Sequence, residues 1–203
     1  MRPLTLAQGD ALIVTDIQND FLPGGTLAVP DADQVILPLN QAVQAFASQG
    51  LPVFATRDWH PENHCSFYQQ GGPWPPHCVA GTFGAEFSSV LLLPSDVELV
   101  SKATQPDQEA YSSFRGTDLD ERLRARGVTR IIIGGLTTEY CVLNTVRDAV
   151  QRGYKVVVLM DTVRAVDVHP EDGSTALAEM QKLGATLITS RMLSGTQRLA
   201  RAS

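Results

Sequence analysis

The sequence lacks several features that define whole classes of protein. Its longest uninterrupted apolar stretches, at 90–93 and 156–160, are much shorter than the about 20 residues that a membrane-spanning helix needs. Gly9 and Asp10 interrupt the start of the chain before any apolar run forms, so we expect no secretion signal. Lys and Arg number 16 against 22 Asp and Glu, and no segment holds a basic cluster. We therefore expect no nucleic acid and no membrane as a partner.

Cysteine is also scarce, with three residues in the chain. An odd number without an export signal indicates free thiols in a reducing compartment, so we expect a cytoplasmic protein without a disulfide framework. The length of 203 residues, with 43% hydrophobic and 19% charged residues, fits one soluble folded domain over 1–203. The composition is compatible with a homo-oligomer and does not fix the number of subunits.

Short apolar runs alternate with segments of helical periodicity along the chain. Continuous β-branched runs indicate strands that are covered on both faces, and their alternation with helices predicts a parallel sheet between two helical layers. We therefore predict an α/β fold with three α/β/α layers and a six-stranded, mostly parallel sheet. The predicted strands are 12–15, 53–57, 97–101, 130–133, 155–160 and 186–189, and the predicted helices are 31–49, 119–126, 138–152 and 171–183. Proline at position 38 predicts that the regular part of the first helix begins near residue 37.

Reactive side chains follow four of the predicted strands. In an open α/β sheet, ligands bind outside the carboxyl ends of the strands. Asp16 follows the first strand, Asp58 the second and Lys102 the third, while Cys141 follows the fourth within the segment 134–141. Strand order therefore predicts one rim that carries an acid, a lysine, a thiol and a set of metal-binding groups.

Three of the four histidines lie close together in sequence and follow Asp58. Asp58 and His60 point to the same side of an extended segment, His64 is one turn further on, and His77 has to fold back from a proline-rich loop. One carboxylate and three imidazoles suit zinc, iron or manganese better than calcium. The alternatives are three surface histidines in one loop, or a structural zinc site that uses the neighbouring Cys65 and Cys78.

Cys141 lies near the start of a predicted helix, directly after a turn. A thiol at a helix N-terminus has a lowered pKa, and free backbone N–H groups there can bind an oxyanion. Asp16 follows a buried strand, where a raised pKa suits a general base. The alternatives are a cysteine that packs in the core, an aspartate that caps a loop, and a solvated strand end for Lys102. Four aromatic residues in these loops could together line a flat binding pocket. They are Phe21, Trp59, Trp74 and Tyr111.

Taken together, five segments give the chain a resemblance to the nicotinamidases, a branch of the isochorismatase-like cysteine hydrolases. They are 15–21 (TDIQNDF), 56–61 (TRDWHP) with His64, 74–78 (WPPHC), Lys102 with 109–112 (EAYS), and 135–142 (GLTTEYCV). The match runs in the same order over about residues 10–190, and the aspartate–histidine pattern is its most specific part. Two departures stand out. Thr137 replaces a small residue, and Glu139 replaces an aspartate.

The resemblance implies hydrolysis of nicotinamide to nicotinate and ammonia in NAD salvage, with pyrazinamide as a second substrate. Cys141 would attack the carboxamide carbon and form a thioester, while Asp16 would move the protons and Lys102 would stabilise the thiolate. The backbone N–H groups of Thr137 and Cys141 would form the oxyanion hole, after a cis peptide bond between Leu136 and Thr137.

The resemblance also implies one divalent metal ion that binds the pyridine nitrogen of the substrate. Its ligands would be Asp58, His60, His64 and His77. Phe21 and Trp74 would flank the ring, with Tyr111 as the third predicted substrate-binding side chain. The competing hypotheses are a related amidase for another small amide and a non-catalytic domain that binds a metal or a metabolite.

Overall fold

The structure is a computed structural model, and it describes residues 3–194. The predicted single domain of 1–203 extends at both ends beyond the described residues and stays a prediction. No helix among residues 3–194 is long and apolar enough to cross a bilayer.

Within residues 3–194, eight strands and four α-helices are the main elements of regular structure. The strands are Leu4–Thr5 (β1), Asp10–Thr15 (β2), Val53–Asp58 (β3), Glu98–Lys102 (β4), Arg130–Leu136 (β5), Lys155–Arg164 (β6), Thr186–Ile188 (β7) and Leu193–Ser194 (β8). The helices are Ile36–Ala47 (α1), Leu119–Ala125 (α2), Leu143–Gln151 (α3) and Asp172–Lys182 (α4). Six strands form one all-parallel sheet in the order β4-β3-β2-β5-β6-β7, and β1 pairs with β8 in a separate two-stranded sheet.

Helices cover both faces of the large sheet. Alternate residues of β2 enter different cores, because successive side chains of a strand point to opposite faces. Leu12 and Val14 join the core under α1, whereas Ala11 and Ile13 join the core under α2, α3 and α4. The predicted three-layer α/β/α fold with a six-stranded sheet is therefore confirmed.

Most predicted elements appear within a few residues of their expected positions. Helix α1 begins at Ile36, close to the predicted start near residue 37, so Pro38 lies in its first turn, where its nitrogen has no intrahelical partner to lose. Three strand ends were wrong: β6 continues to Arg164, and Asp58 and Lys102 are the last residues of β3 and β4 instead of following them. The short strands β1 and β8 are too brief to give a periodic signal.

The two glycines at 134 and 135 belong to β5, although the sequence favoured a turn. A Cβ atom on Gly134 would lie 2.0 Å from Thr162 Oγ1, and one on Gly135, which has φ +127°, would lie 2.0 Å from the carbonyl oxygen of Thr15. Glycine therefore allows β5 to approach its neighbours closely while the strand continues. This places residues 137–141 at the rim, beside the end of β2.

The order of the strands puts a crevice at the carboxyl ends of β2 and β5. From β2 the chain proceeds to β3 and β4 on one side, and later to β6 and β7 on the far side of β5. Adjacent strands whose connections run in opposite directions leave such a crevice, which is where ligands bind in open α/β sheets. The long segment between β3 and β4 contains 3₁₀ turns at Tyr68–Gln70 and Phe83–Ala85.

Candidate active site and metal centre

The predicted acid, lysine and thiol meet at this crevice. Lys102 Nζ lies 3.0 Å from Asp16 Oδ2 and 3.4 Å from Cys141 Sγ. All three side chains are buried, with Asp16 0%, Lys102 1% and Cys141 4% exposed. Asp16 also accepts a hydrogen bond from the Thr56 hydroxyl at 2.6 Å. The structure thus brings together three residues that are far apart in sequence.

Local backbone geometry directs the acid and the lysine into the site. Asp16 has φ +52°, a left-handed conformation that turns the chain out of the sheet directly after β2. Ala103 has φ +53° and turns the chain directly after Lys102. Left-handed residues other than glycine are uncommon and concentrate at functional sites, since the surrounding structure has to compensate their cost.

Cys141 lies in a single π-helical turn, Thr138–Val142, that leads into α3. The peptide bond between Leu136 and Thr137 is cis, as the resemblance implied. The carbonyl of Thr137 accepts a hydrogen bond from the Val142 N–H at 3.0 Å, which closes this turn around Cys141. The predicted oxyanion role of the Thr137 and Cys141 N–H groups stays a prediction.

Burial dominates the protonation of the acid and the thiol. Burial raises the pKa of Asp16, and the Lys102 ammonium only partly opposes this shift. Burial also raises the pKa of the Cys141 thiol well above its ordinary value, again against the influence of Lys102. The expectation that a helix N-terminus lowers this pKa was wrong, because the enclosed sulfur loses its hydration.

Lys102 is held by two carboxylates. Burial alone would lower the pKa of Lys102, but Asp16 and Asp58 raise it well above its ordinary value. Asp58 Oδ1 lies 2.5 Å from Lys102 Nζ. Burial opposes ionisation of Asp58, but Lys102 together with the neighbouring His60 and His77 lowers the pKa of this carboxyl. The sequence assigned Asp58 to the metal site alone, so its contact with the lysine was missed.

Three of the four predicted metal ligands form one group. Ligand atoms of Asp58, His60 and His77 lie within 4.8 Å of one another, and all three residues are buried. His60 Nδ1 donates a hydrogen bond to the carbonyl of His77 at 2.9 Å, and His77 Nδ1 donates to the carbonyl of Pro75 at 2.8 Å. Each ring therefore keeps an Nε2 lone pair, which is the usual arrangement of metal-binding histidine.

The electrostatics of this group also fit a cation. Burial lowers the pKa of His60 to about 4 and lowers that of His77. Both rings are therefore neutral near neutral pH, as a metal ligand has to be. With the Asp58 carboxylate they form a nitrogen and oxygen donor set that suits zinc, iron or manganese.

His64 lies beside this group but is held differently. Its Nδ1 accepts a hydrogen bond from the Ser66 hydroxyl at 2.7 Å, and its Nε2 donates to the carbonyl of Gln108 at 3.1 Å. His64 forms a second group of ligand atoms with His60 and Glu109. Glu109 had no role in the sequence analysis, and its only signal was its place in the motif after Lys102.

The aromatic residues divide into two parts. Phe21 packs on His77, with ring centroids 5.7 Å apart. Trp74 donates from Nε1 to the Tyr111 hydroxyl at 3.0 Å, and both rings contact Tyr140, at 5.2 and 5.3 Å. Tyr140 was not predicted, although it directly precedes Cys141. Trp59, the fourth candidate, instead packs against Arg57, whose guanidinium carbon lies 3.7 Å from the centroid of the Trp59 ring.

The two remaining cysteines do not support a structural zinc site. Cys78 is buried and Cys65 is half-buried, and both are free thiols. Within residues 3–194, neither belongs to a group of potential metal ligands. Burial raises the pKa of both thiols, so neither is predisposed to bind a metal as a thiolate.

Comparison with known proteins agrees with this arrangement. The sequence model of the isochorismatase domain matches residues 10–192. The nicotinamidase of Escherichia coli K12 is 38% identical over 200 residues, which cover 88% of this chain and 94% of that protein.

Solved structures share both the fold and much of the sequence. The crystal structure of the pyrazinamidase of Pyrococcus horikoshii in complex with zinc has 50% sequence identity and a TM-score of 0.85, over 89% of this chain and 99% of that one. The structure of PnC1 from L. infantum in complex with nicotinate has 33% identity and a TM-score of 0.84, over 95% and 99% of the two chains. Given a family model that spans most of its length, this chain belongs to the isochorismatase family.

Proposed function

We propose that this chain is a nicotinamidase, which hydrolyses nicotinamide to nicotinate and ammonia in NAD salvage and also accepts pyrazinamide. The observation that carries the proposal is the placement of Lys102 Nζ between Asp16 and Cys141, beside the buried ligand group of Asp58, His60 and His77. Relatives and neighbours named as nicotinamidase or pyrazinamidase, one of them in complex with nicotinate, support the choice of substrate.

Formation of the thioester begins with the buried thiol. Asp16 removes the Cys141 proton, and its raised pKa suits it to hold that proton. The ammonium of Lys102, 3.4 Å from the sulfur, stabilises the thiolate while Sγ bonds to the carboxamide carbon. The N–H groups of Thr137 and Cys141 bind the developing oxyanion. Asp16 then transfers the proton to the amide nitrogen, the carbon–nitrogen bond breaks, and ammonia leaves.

Hydrolysis of the thioester uses the same groups in reverse roles. Asp16, now ionised, removes a proton from a water molecule that attacks the thioester carbon. The carbon–sulfur bond breaks, and Cys141 recovers its proton from Asp16. The nicotinic acid so formed releases its remaining proton to solvent and leaves as nicotinate. Lys102 keeps its charge throughout because Asp16 and Asp58 raise its pKa.

The cofactor we propose is one divalent metal ion, zinc, iron or manganese, held by Asp58, His60, His64 and His77. When bound, such an ion would supply a Lewis acid for the ring nitrogen of the substrate, and these four side chains would thereby help to set the orientation of the ring. Phe21, Trp74 and Tyr111 provide the aromatic contacts for the flat ring. Phe21 packs on His77, and Trp74 is joined to Tyr111 by a hydrogen bond.

We also propose that the chain acts in the cytoplasm as a single domain, alone or as a homo-oligomer, without nucleic acid as a partner. The three free thiols at Cys65, Cys78 and Cys141 and the net charge of −6 support this assignment.

The decisive experiment measures ammonia release from nicotinamide by the wild type and by the Cys141→Ala variant, with and without added metals. We expect turnover by the wild type and none by the variant. Cys65→Ala, which removes a half-buried thiol outside the group of Asp16, Lys102 and Cys141, should stay active. A parallel assay with carbamoyl and ureido amides distinguishes a related amidase, which would prefer those substrates. A non-catalytic binding domain would release no ammonia from any of them.

A further inference from the structure

Gln18 occupies a gap that the end of β2 leaves in the sheet. The N–H of Asp16 still pairs with the carbonyl of Thr56, but the left-handed Asp16 then turns the chain away from β3. The backbone N–H and carbonyl of Asp58, two residues further along β3, point to the same side of the strand as those of Thr56. Because β2 has ended there, they have no backbone partner on that side. A buried backbone N–H and carbonyl without partners are costly, so another group has to replace the strand.

The side-chain amide of Gln18 makes this replacement. Its Oε1 accepts a hydrogen bond from the Asp58 N–H at 2.8 Å, and its Nε2 donates to the Asp58 carbonyl at 2.7 Å. The second Nε2 hydrogen bond goes to the carbonyl of Ala85 at 2.9 Å. Gln18 is 0% exposed, so no water competes for these contacts. The Gln18 amide thus takes the place of a backbone peptide group of β2 as the hydrogen-bond partner of Asp58.

The residue that Gln18 holds connects two parts of the site. Asp58 Oδ1 lies 2.5 Å from Lys102 Nζ, and Asp58 also belongs to the ligand group of His60 and His77. A shift of the Asp58 backbone would therefore displace both the lysine that faces Cys141 and a carboxylate ligand. Gln18 is also tied to the proposed base, because its own N–H donates to the carbonyl of Asp16 at 2.9 Å.

We infer that Gln18 is a positioning residue that sets the Asp58 carboxylate between Lys102 and the metal site, and so supports both the ligand group and the lysine that faces Cys141. The inference rests on the proposed function for its effect on turnover. Its main readouts, zinc affinity and the alkylation rate of Cys141, need no substrate. Failure of the nicotinamidase proposal would therefore leave them interpretable.

The test compares Gln18→Glu with Gln18→Met. Glutamate keeps the shape and the acceptor but replaces both Nε2 donors with an oxygen that faces two carbonyls, whereas methionine removes all three hydrogen bonds. Zinc affinity is measured by competition with a chromogenic chelator, and Cys141 is alkylated with iodoacetamide over a range of pH. We expect a loss of zinc affinity of about tenfold or more, typical of groups that orient metal ligands, and a shifted pH profile of alkylation.

Asn40 provides a matched control far from the site in sequence and in role. Its amide also makes two hydrogen bonds to the backbone, at exposed positions: Nδ2 donates to the Val90 carbonyl at 2.9 Å, and Oδ1 accepts from the Leu92 N–H at 2.8 Å. Asn40→Asp should lower the melting temperature and leave zinc affinity and alkylation unchanged. If a folded Gln18 variant behaves like this control, with lower stability alone, the inference is overturned.

Discussion

The ammonium of Lys102 lies 3.4 Å from the sulfur of Cys141, in a site where both side chains are buried. A charge so deeply buried is stable only with compensating partners, and Asp16 and Asp58 supply them at 3.0 and 2.5 Å. The lysine therefore has two effects. It stabilises the protein by neutralising two buried carboxylates, and it favours the thiolate during attack.

Lys102→Met should abolish both effects. Without the ammonium, the thiolate loses its counter-charge and two buried carboxylates face each other, so we expect kcat to fall by about 100-fold or more. Removing one partner of a buried ion pair typically costs about 3–5 kcal/mol of unfolding free energy. Ammonia-release kinetics and urea unfolding measure the two losses. Lys155→Met, which changes an exposed lysine at the start of β6, is the control and should alter neither.

The metal-free protein should lose stability in mild acid because of its buried histidines. Burial lowers the pKa of His60 from 6.5 to about 4, so the folded state favours the neutral ring. The folded state therefore has its full stability above pH 6.5, where the ring is neutral in both states. It loses stability as pH falls from 6.5 towards 4, because only the unfolded state takes up the proton readily. For His60 the shift corresponds to about 3 kcal/mol of unfolding free energy.

Urea unfolding of chelator-treated protein between pH 7 and pH 4 measures this dependence. His60→Gln cannot take up the proton, so its stability should fall less steeply with acid than that of the wild type. His169→Gln removes an exposed histidine and should keep the wild-type slope. Identical slopes for the wild type and His60→Gln would contradict the burial argument.

The sequence predicted the sheet and the position of its functional rim, because strand periodicity and strand order determine which residues share an edge. That order placed Asp16, Lys102 and Cys141 on one rim, and their joint action was implied by the family resemblance. The sequence did not predict the second role of Asp58, since a contact between neighbouring strand ends depends on register. It also missed the hydrogen bonds between the Gln18 amide and the Asp58 backbone, which form only because Asp16 turns the chain out of the sheet.

The prediction of a lowered pKa for the Cys141 thiol was wrong for a related reason. A position near a helix start is visible in the sequence, whereas the burial of the sulfur is not. Burial raises the pKa of the Cys141 thiol and outweighs the favourable location. The hydrogen bonds of the His64 ring to Ser66 and Gln108 are likewise not visible in the sequence, and its role as a metal ligand stays a prediction.

Removal of the metal should chiefly weaken substrate binding. Lys102, Asp16 and Cys141 form contacts that do not depend on the ion, whereas the ring of the substrate would lose its ligand. We expect a raised KM for nicotinamide after chelation, recovered on adding zinc, iron or manganese. His77→Ala should have a similar effect that added metal does not fully reverse, with His169→Ala as the control. An unchanged KM after verified metal loss would exclude this role of the ion.

The hydroxyl of Thr137 should destabilise the folded protein. Thr137 is 5% exposed, and its Oγ1 is buried without a hydrogen-bond partner. Thr137→Val keeps the shape and removes the unpartnered hydroxyl, so the unfolding free energy should rise by about 1 kcal/mol. Thr162→Val is the matched opposite, because the Thr162 hydroxyl donates to the carbonyl of Leu159 at 2.8 Å and its loss should lower stability. Urea unfolding of both variants should therefore show changes of opposite sign, and a loss of stability in Thr137→Val would mean that this hydroxyl has a partner in solution.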